Sequence, residues 1–168
     1  MKTHHWCVAP SLNLTASTEH EVLLAIFFNQ VLDCAKKACS TVAYRAWDGS
    51  SAMCPLKGGD LTRKPGISCW FPESEFNWRH LVISTKVKNH TGKPNEKSSY
   101  IEVARKASCL LYTQDGCHFA SCIHILNSQI YLTIFDHGGS LSTCGYNINL
   151  CSCSFLHILS SMMAIWFN

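Results

Sequence analysis

Residues 129–149 have the sequence Gln-Ile-Tyr-Leu-Thr-Ile-Phe-Asp-His-Gly-Gly-Ser-Leu-Ser-Thr-Cys-Gly-Tyr-Asn-Ile-Asn, and they carry much of the information about the fold. The first seven are rich in β-branched and aromatic side chains, which favour a strand. Gly138 and Gly139 then predict a tight turn, because glycine adopts backbone angles that other residues avoid. A second short strand is expected after the turn.

Other strands are predicted N-terminal to this stretch. Apolar runs at 119–126 and 130–135, joined by an Asn-Ser pair, predict a hairpin. Residues 81, 83, 85 and 87 alternate with residues 82, 84, 86 and 88 in a period of two, which is the pattern of a strand. Shorter strands are predicted at 41–47 and 67–71, with a loop rich in glycine and proline between them.

Helices are predicted from apolar residues at helical spacing over about 19–38 and 97–113, and a last helix begins near Ser154. The order helix, strand, strand, strand, helix, strand, strand favours an α/β fold with a mixed sheet. We expect one such domain over residues 19–168, preceded by an irregular lead at 1–18.

The composition is that of a globular protein, since 47% of the 168 residues are hydrophobic and 15% are charged. A net charge of +3 is too small to imply nucleic acid by itself. The N-terminal residues contain no apolar run suited to a signal peptide. The apolar run at 154–167 is shorter than the roughly 20 residues of a membrane span. We therefore expect an intracellular protein, cytoplasmic or nuclear, without membrane association.

Eleven cysteines and nine histidines raise the question of a zinc site. The best candidate set is Cys117, His118, Cys122 and His124, because three of these side chains share one face of the predicted strand. Structural zinc needs four converging ligands, usually paired at short spacing, and no CxxC occurs in the chain. Reduced cysteines packed in the core, with histidines at the surface, are the alternative.

Basic side chains gather in the middle of the chain, where Lys86, Lys88, Arg105 and Lys106 are candidates for phosphate contacts. A nucleic-acid-binding module would use them in this way. Apart from Tyr100, no aromatic platform accompanies them. The alternative is a solvated strand edge whose lysines discourage pairing with other chains.

The segment from Phe135-Asp136-His137-Gly138-Gly139 to Asn149 resembles a region of fungal-type protein kinase domain proteins that lies before the catalytic machinery. Further similarity runs from about residue 63 to residue 165. It includes Arg63-Lys64-Pro65-Gly66-Ile67, where the family usually has Asp in place of glycine. It also includes Trp78-Arg79-His80-Leu81-Val82-Ile83 followed by Lys86-Val87-Lys88, where the family has Glu in place of Lys86.

The same layout resembles a degenerate PD-(D/E)xK nuclease-like core, the restriction-endonuclease-like αβββαβ arrangement. Such a core holds a divalent cation with an Asp and a Glu and uses a lysine to orient water. Here the Asp position is Gly66 and the Glu position is Lys86, so only Lys88 remains. The resemblance therefore implies a scaffold without metal-dependent nuclease activity.

Kinase chemistry requires a glycine-rich loop, a catalytic His-Arg-Asp and metal ligands, and this sequence contains neither GxGxxG nor His-Arg-Asp. The family implies ATP and magnesium only for full-length Ser/Thr kinases. We expect this chain to be a C-terminally truncated, non-catalytic segment that serves interaction or regulation, with protein partners. A nucleic-acid-binding module and a small zinc-stabilised domain are the alternative functions.

Overall fold

The computed structural model describes residues 19–39, 45–59, 62–88 and 94–163. These residues form three α-helices, one short 3-10 helix at Ser50–Met53, and seven strands. In chain order the elements are α1 (Glu19–Cys39), β1 (Ala46–Asp48), β2 (Ile67–Trp70), β3 (Leu81–Lys88), α2 (Pro94–Thr113), β4 (Phe119–Leu126), β5 (Gln129–Asp136), β6 (Ser140–Ser142), β7 (Tyr146–Asn147) and α3 (Ser152–Met163).

The predicted mixed α/β architecture is confirmed, with small shifts at the ends of elements. Helix α2 begins at Pro94, three residues before the predicted start, because proline is well tolerated in the first turn where its missing N–H is not needed. The short strand predicted after Gly139 is β6, and β7 follows it as a separate strand. Of the strand predicted at 41–47, residues 41–44 lie outside the described residues, and β1 begins at Ala46.

The sheet has the strand order β1-β2-β3-β4-β5-β6, and β7 also pairs with β5. Strands β3 and β4 are parallel, whereas the other pairs are antiparallel. A parallel pair needs a long crossover, and α2 provides it. In this parallel register Lys86 lies beside His124.

Two apolar clusters hold helices against opposite faces of the sheet. On one face, α1 and α3 pack their aromatic side chains together, with Phe28 in contact with both Trp47 and Phe155. On the other face, α2 packs Val103, Ala107 and Leu110 against β4 and β5; the strand residues in this cluster include Ala120, Cys122 and Phe135. The result is a three-layer α/β/α domain with β3 and β4 in its middle.

No helix within the described ranges has the length and apolar character needed to cross a bilayer.

Candidate functional site at the carboxyl end of strand β3

Lys86 and Lys88 project from the same face of β3, because side chains two residues apart on a strand point the same way. Both lie against Glu102 of α2. The Nζ of Lys88 is 2.5 Å from Oε1 of Glu102, and the Nζ of Lys86 is 3.6 Å from its Oε2. One carboxylate therefore bridges two ammonium groups. Lys88 also donates a hydrogen bond to the Ser98 hydroxyl at 3.0 Å.

Lys106 lies one helical turn after Glu102, and its side chain is buried with 7% of its surface exposed. Its amine donates hydrogen bonds to the backbone carbonyls of Pro65 at 2.6 Å and Thr85 at 3.4 Å. Burial, together with the smaller effect of the nearby charge of Lys86, lowers the pKa of Lys106 to about 8. This lysine is an internal group of the fold, in contrast to the solvent-facing position expected for a phosphate contact.

Gly66 lies directly against this buried amine. Its φ of +75° falls in the left-handed region that favours glycine. A Cβ added there would stand 2.2 Å from the carbonyl oxygen of Thr85 and 2.9 Å from Nζ of Lys106. The backbone of this position therefore has no room for any side chain, including the Asp that the nuclease-like pattern calls for.

Two carboxylates balance part of this positive charge. Burial alone would raise the pKa of Glu102, but the hydrogen bond from Lys88 and the charges of the nearby lysines together lower it. Burial raises the pKa of Glu21 on α1, against the charges of Lys86 and Lys106. At the carboxyl end of β3, the positive charges of the lysines are thus largely balanced by carboxylates of the protein itself.

The four candidate zinc ligands do not form a ligand cluster. The ring of His124 is buried and stacks on Tyr131 with centroids 4.5 Å apart, and burial lowers its pKa to about 4. Cys122 is fully buried beside Lys106, and burial raises the pKa of its thiol to about 12. The thiol of Cys117 donates to the carbonyl of Phe119, outside this core. Within the described part of the chain, no three His, Cys, Asp or Glu side chains converge in a metal-binding group.

The nine cysteines whose side chains the structure describes form no disulfide bonds. Three of them, at positions 69, 109 and 122, are buried. These three pack as small apolar residues. The other six are exposed or half-buried, so the prediction that the cysteines lie mostly in the core is wrong for most of those described.

A second feature, which the sequence analysis missed, lies at the opposite end of β3. There a cleft of about 710 Å³ brings Arg45, Arg79, His80 and His118 to one surface. These residues are far apart in the sequence, and only the Arg79-His80 dipeptide gives a local signal of basic character. Of the predicted zinc set, Cys117 and His118 also line this cleft.

The comparison with known proteins gives one match. The profile of a family described as fungal protein kinase matches residues 68–166, which is more than half of the chain. The matched segment begins in β2 and contains Lys86, Lys88, Glu102 and Lys106. No curated protein and no solved structure is similar enough to the chain to match it.

Proposed function

Because this chain belongs to the fungal protein kinase family, we propose that it is a non-catalytic interaction or regulatory segment, built on a nuclease-like core that has lost its metal chemistry. The main support is the position of the Lys106 amine. It lies where a carboxylate on residue 66 would have to stand, and it is bonded to the protein's own backbone.

The topology supports the nuclease-like part of this proposal. The order α1, β1, β2, β3, α2, β4 is the αβββαβ order of the restriction-endonuclease-like core. The three-strand meander followed by a helical crossover to a parallel strand also agrees with it. Lys86 and Lys88 occupy neighbouring positions on one face of the strand, as the acidic residue and the lysine of a (D/E)xK motif would.

Magnesium does not fit the residues at this place. Mg²⁺ binds near-ideal octahedral arrangements of oxygen ligands. Here two of the motif positions carry lysine ammonium groups, and the carboxylate of Glu102 already bridges both of them. The Lys106 ammonium, held by backbone carbonyls, fills the space beside residue 66, which supports a structural role for this cluster and not a metal-dependent catalytic one.

The proposal is tested by incubating the purified chain with ATP and Mg²⁺, and separately with DNA and Mn²⁺. We expect no phosphoryl transfer and no DNA cleavage above a protein-free blank. Metal-dependent turnover that disappears in Lys88→Met would contradict the proposal. The variant Lys36→Met is the matched control, because Lys36 lies at the end of α1 in an exposed ion pair with Asp33.

Nucleic-acid binding through Lys86, Lys88 and Arg105 is a second candidate function. Arg105 is exposed on α2, which favours it. Lys86 and Lys88 share Glu102, which leaves less free positive charge for phosphates. The candidate requires salt-sensitive DNA binding that is lost in Lys86→Glu with Lys88→Glu and retained in Lys36→Glu with Lys37→Glu. Equal binding by the two double variants would exclude these lysines as the contact surface.

A further inference from the structure

The cleft at the amino end of β3 is bordered by several elements that end or begin there. Strands β3 and β4 contribute their first residues, and the segment after α2 contributes Gln114 and Cys117. Helix α3 contributes Ser161 and Met162 from its last turn. Gln114 fixes this geometry, since its side-chain amide donates to the carbonyls of Trp78 at 3.0 Å and Leu81 at 2.7 Å. The cleft volume of about 710 Å³ lies within the usual range for small-molecule sites.

Four basic side chains line this cleft. Two are arginines, Arg45 and Arg79, and two are histidines, His80 and His118. None of the lining residues is Asp or Glu. Among the described residues, neither arginine has a carboxylate within ion-pair distance. The lysine cluster at the other end of β3 differs, because carboxylates of the protein lie beside its lysines.

Arg45 is held in place and still has donors to spare. Its Nη1 donates to the carbonyl of Met162 at 2.6 Å, and its guanidinium lies 4.9 Å from the ring centroid of Phe71. Its Nε is buried and has no acceptor among the described residues. A buried donor without an acceptor is costly, and a bound anion close to the guanidinium offsets that cost by its charge.

Two helix ends oppose the positive charge of the cleft, but only in part. The carboxyl ends of α2 and α3 lie at its border, and each carries about half a negative charge. Two arginines contribute two full positive charges, which exceed the sum of both helix ends. The carbonyl of Met162 at the end of α3 is moreover already bonded to Arg45. The net field of the cleft therefore favours an anion.

The cleft also has apolar walls suited to a ring or an alkyl group. Phe71 and Phe119 lie in its lining and remain 38% and 60% exposed, and Val82 also lines the cleft. We propose that this cleft binds a phosphate monoester that carries an aromatic or apolar group. The arginine guanidinium presents forked donors that match phosphate oxygens, and the exposed aromatic rings cover the attached group. The proposal is independent of the non-catalytic role proposed above, since it concerns the other end of the sheet.

The test is a calorimetric titration of the whole chain with phenyl phosphate. We expect saturable binding that weakens about tenfold in Arg79→Ala, because each charge-assisted hydrogen bond contributes on this scale. His118→Ala is expected to weaken it by a smaller factor. Both side chains are exposed, so neither change should disturb the fold. Lys37→Ala is the control, because Lys37 is an exposed basic residue of α1 outside the cleft lining.

Further titrations distinguish the source of the phosphate. Tighter binding of uridine monophosphate than of phenyl phosphate supports a small metabolite, and tighter binding of a phosphoserine peptide supports a protein ligand. No saturation by phenyl phosphate at millimolar concentration would overturn the proposal, as would equal weakening in Arg79→Ala and Lys37→Ala. Equal affinity for inorganic phosphate and phenyl phosphate would overturn the role assigned to the aromatic walls.

Discussion

The basic side chains at the two ends of strand β3 differ in whether the protein itself supplies their partners. At the carboxyl end, Lys86 and Lys88 share Glu102, and Lys106 is bonded to backbone carbonyls. At the amino end, Arg45 and Arg79 have no carboxylate partner among the described residues. The strand has eight residues, so at about 3.3 Å per residue the two groups lie roughly 20 Å apart.

This difference separates charge that serves the fold from charge that is available to a ligand. A buried ammonium with two carbonyl acceptors has little capacity left for an outside partner. An arginine on the wall of an open cleft, facing no acid, keeps its donors. We therefore propose a structural role for the cluster that the family resemblance points to, and we propose the cleft that the sequence did not reveal as the better candidate for binding.

The largest effect is expected from a side chain at Gly66. Gly66→Ala should lower the free energy of unfolding by about 3 kcal/mol or more, because it adds a steric overlap with Thr85 to the penalty of a positive φ. Gly116→Ala is the control, since Gly116 has a φ of +79° and nothing within 4 Å of an added Cβ. Gly116→Ala should lower the free energy of unfolding by only about 1 kcal/mol. Urea unfolding measures both, and equal losses would show that the space beside Lys106 is not closed.

The buried amine should make stability rise with pH. The pKa of Lys106 is about 8 in the folded protein and 10.5 ordinarily, so the unfolded chain binds more protons between these values. Stability therefore increases through this window, by up to about 3 kcal/mol. Lys106→Met removes this gain, while the Pro65 carbonyl keeps its hydrogen bond from Ser84 at 2.6 Å. Urea unfolding at pH 7 and pH 10 measures the free energy of unfolding of both proteins. If the wild type and Lys106→Met differ by the same amount at both pH values, the amine is not buried.

The buried ring of His124, beside Lys86 in the sheet, should cause a loss of stability in acid. Its pKa is about 4 when folded and 6.5 ordinarily, so the folded protein binds fewer protons between these values. Stability falls as the pH drops through that window, by about 2.5 kcal/mol at pH 4.5. His124→Phe retains a ring that stacks on Tyr131 and should lose less stability between pH 7 and pH 4.5. If the two proteins lose stability in parallel, His124 is not shielded from solvent.

The smallest effect is expected from the ion pairs on the surface of the lysine cluster. Glu102 is 38% exposed, and such pairs contribute less than about 1 kcal/mol. Glu102→Gln should therefore lower the free energy of unfolding only slightly at low salt, and less at 1 M salt. Asp33→Asn is a control for an ordinary exposed pair with Lys36. A loss of several kcal/mol in Glu102→Gln would mean that Lys86 and Lys88 depend on it far more than their exposure suggests.

The strand and helix pattern of this fold could be predicted because its signals are local. The alternation at 81–88 and the helical spacing around Val103, Ala107 and Leu110 correspond to β3 and α2. The burial of Lys106 could have been suspected, because Lys106 lies beside Ala107 on the stripe that packs against the sheet. Its charge made a surface position the more natural expectation.

The cleft could not be predicted in the same way. Arg45 precedes β1, Arg79 precedes β3, and His118 follows α2, so the three meet only through the packing of the sheet and α3. The lack of space beside Gly66 could not be predicted either, because the atoms that fill it are the backbone of Thr85 on β3 and the side chain of Lys106 on α2. Such contacts between distant segments are properties of the tertiary structure and have no local pattern.

The most direct test of the central claim is an NMR titration of the Lys106 amine in labelled protein, with and without Mg²⁺. The claim is that this buried amine occupies the space where the nuclease-like motif would place its carboxylate. It predicts a pKa near 8 that does not change when Mg²⁺ is added. An ordinary lysine pKa, or a lysine signal that shifts with saturable Mg²⁺ binding, would contradict it.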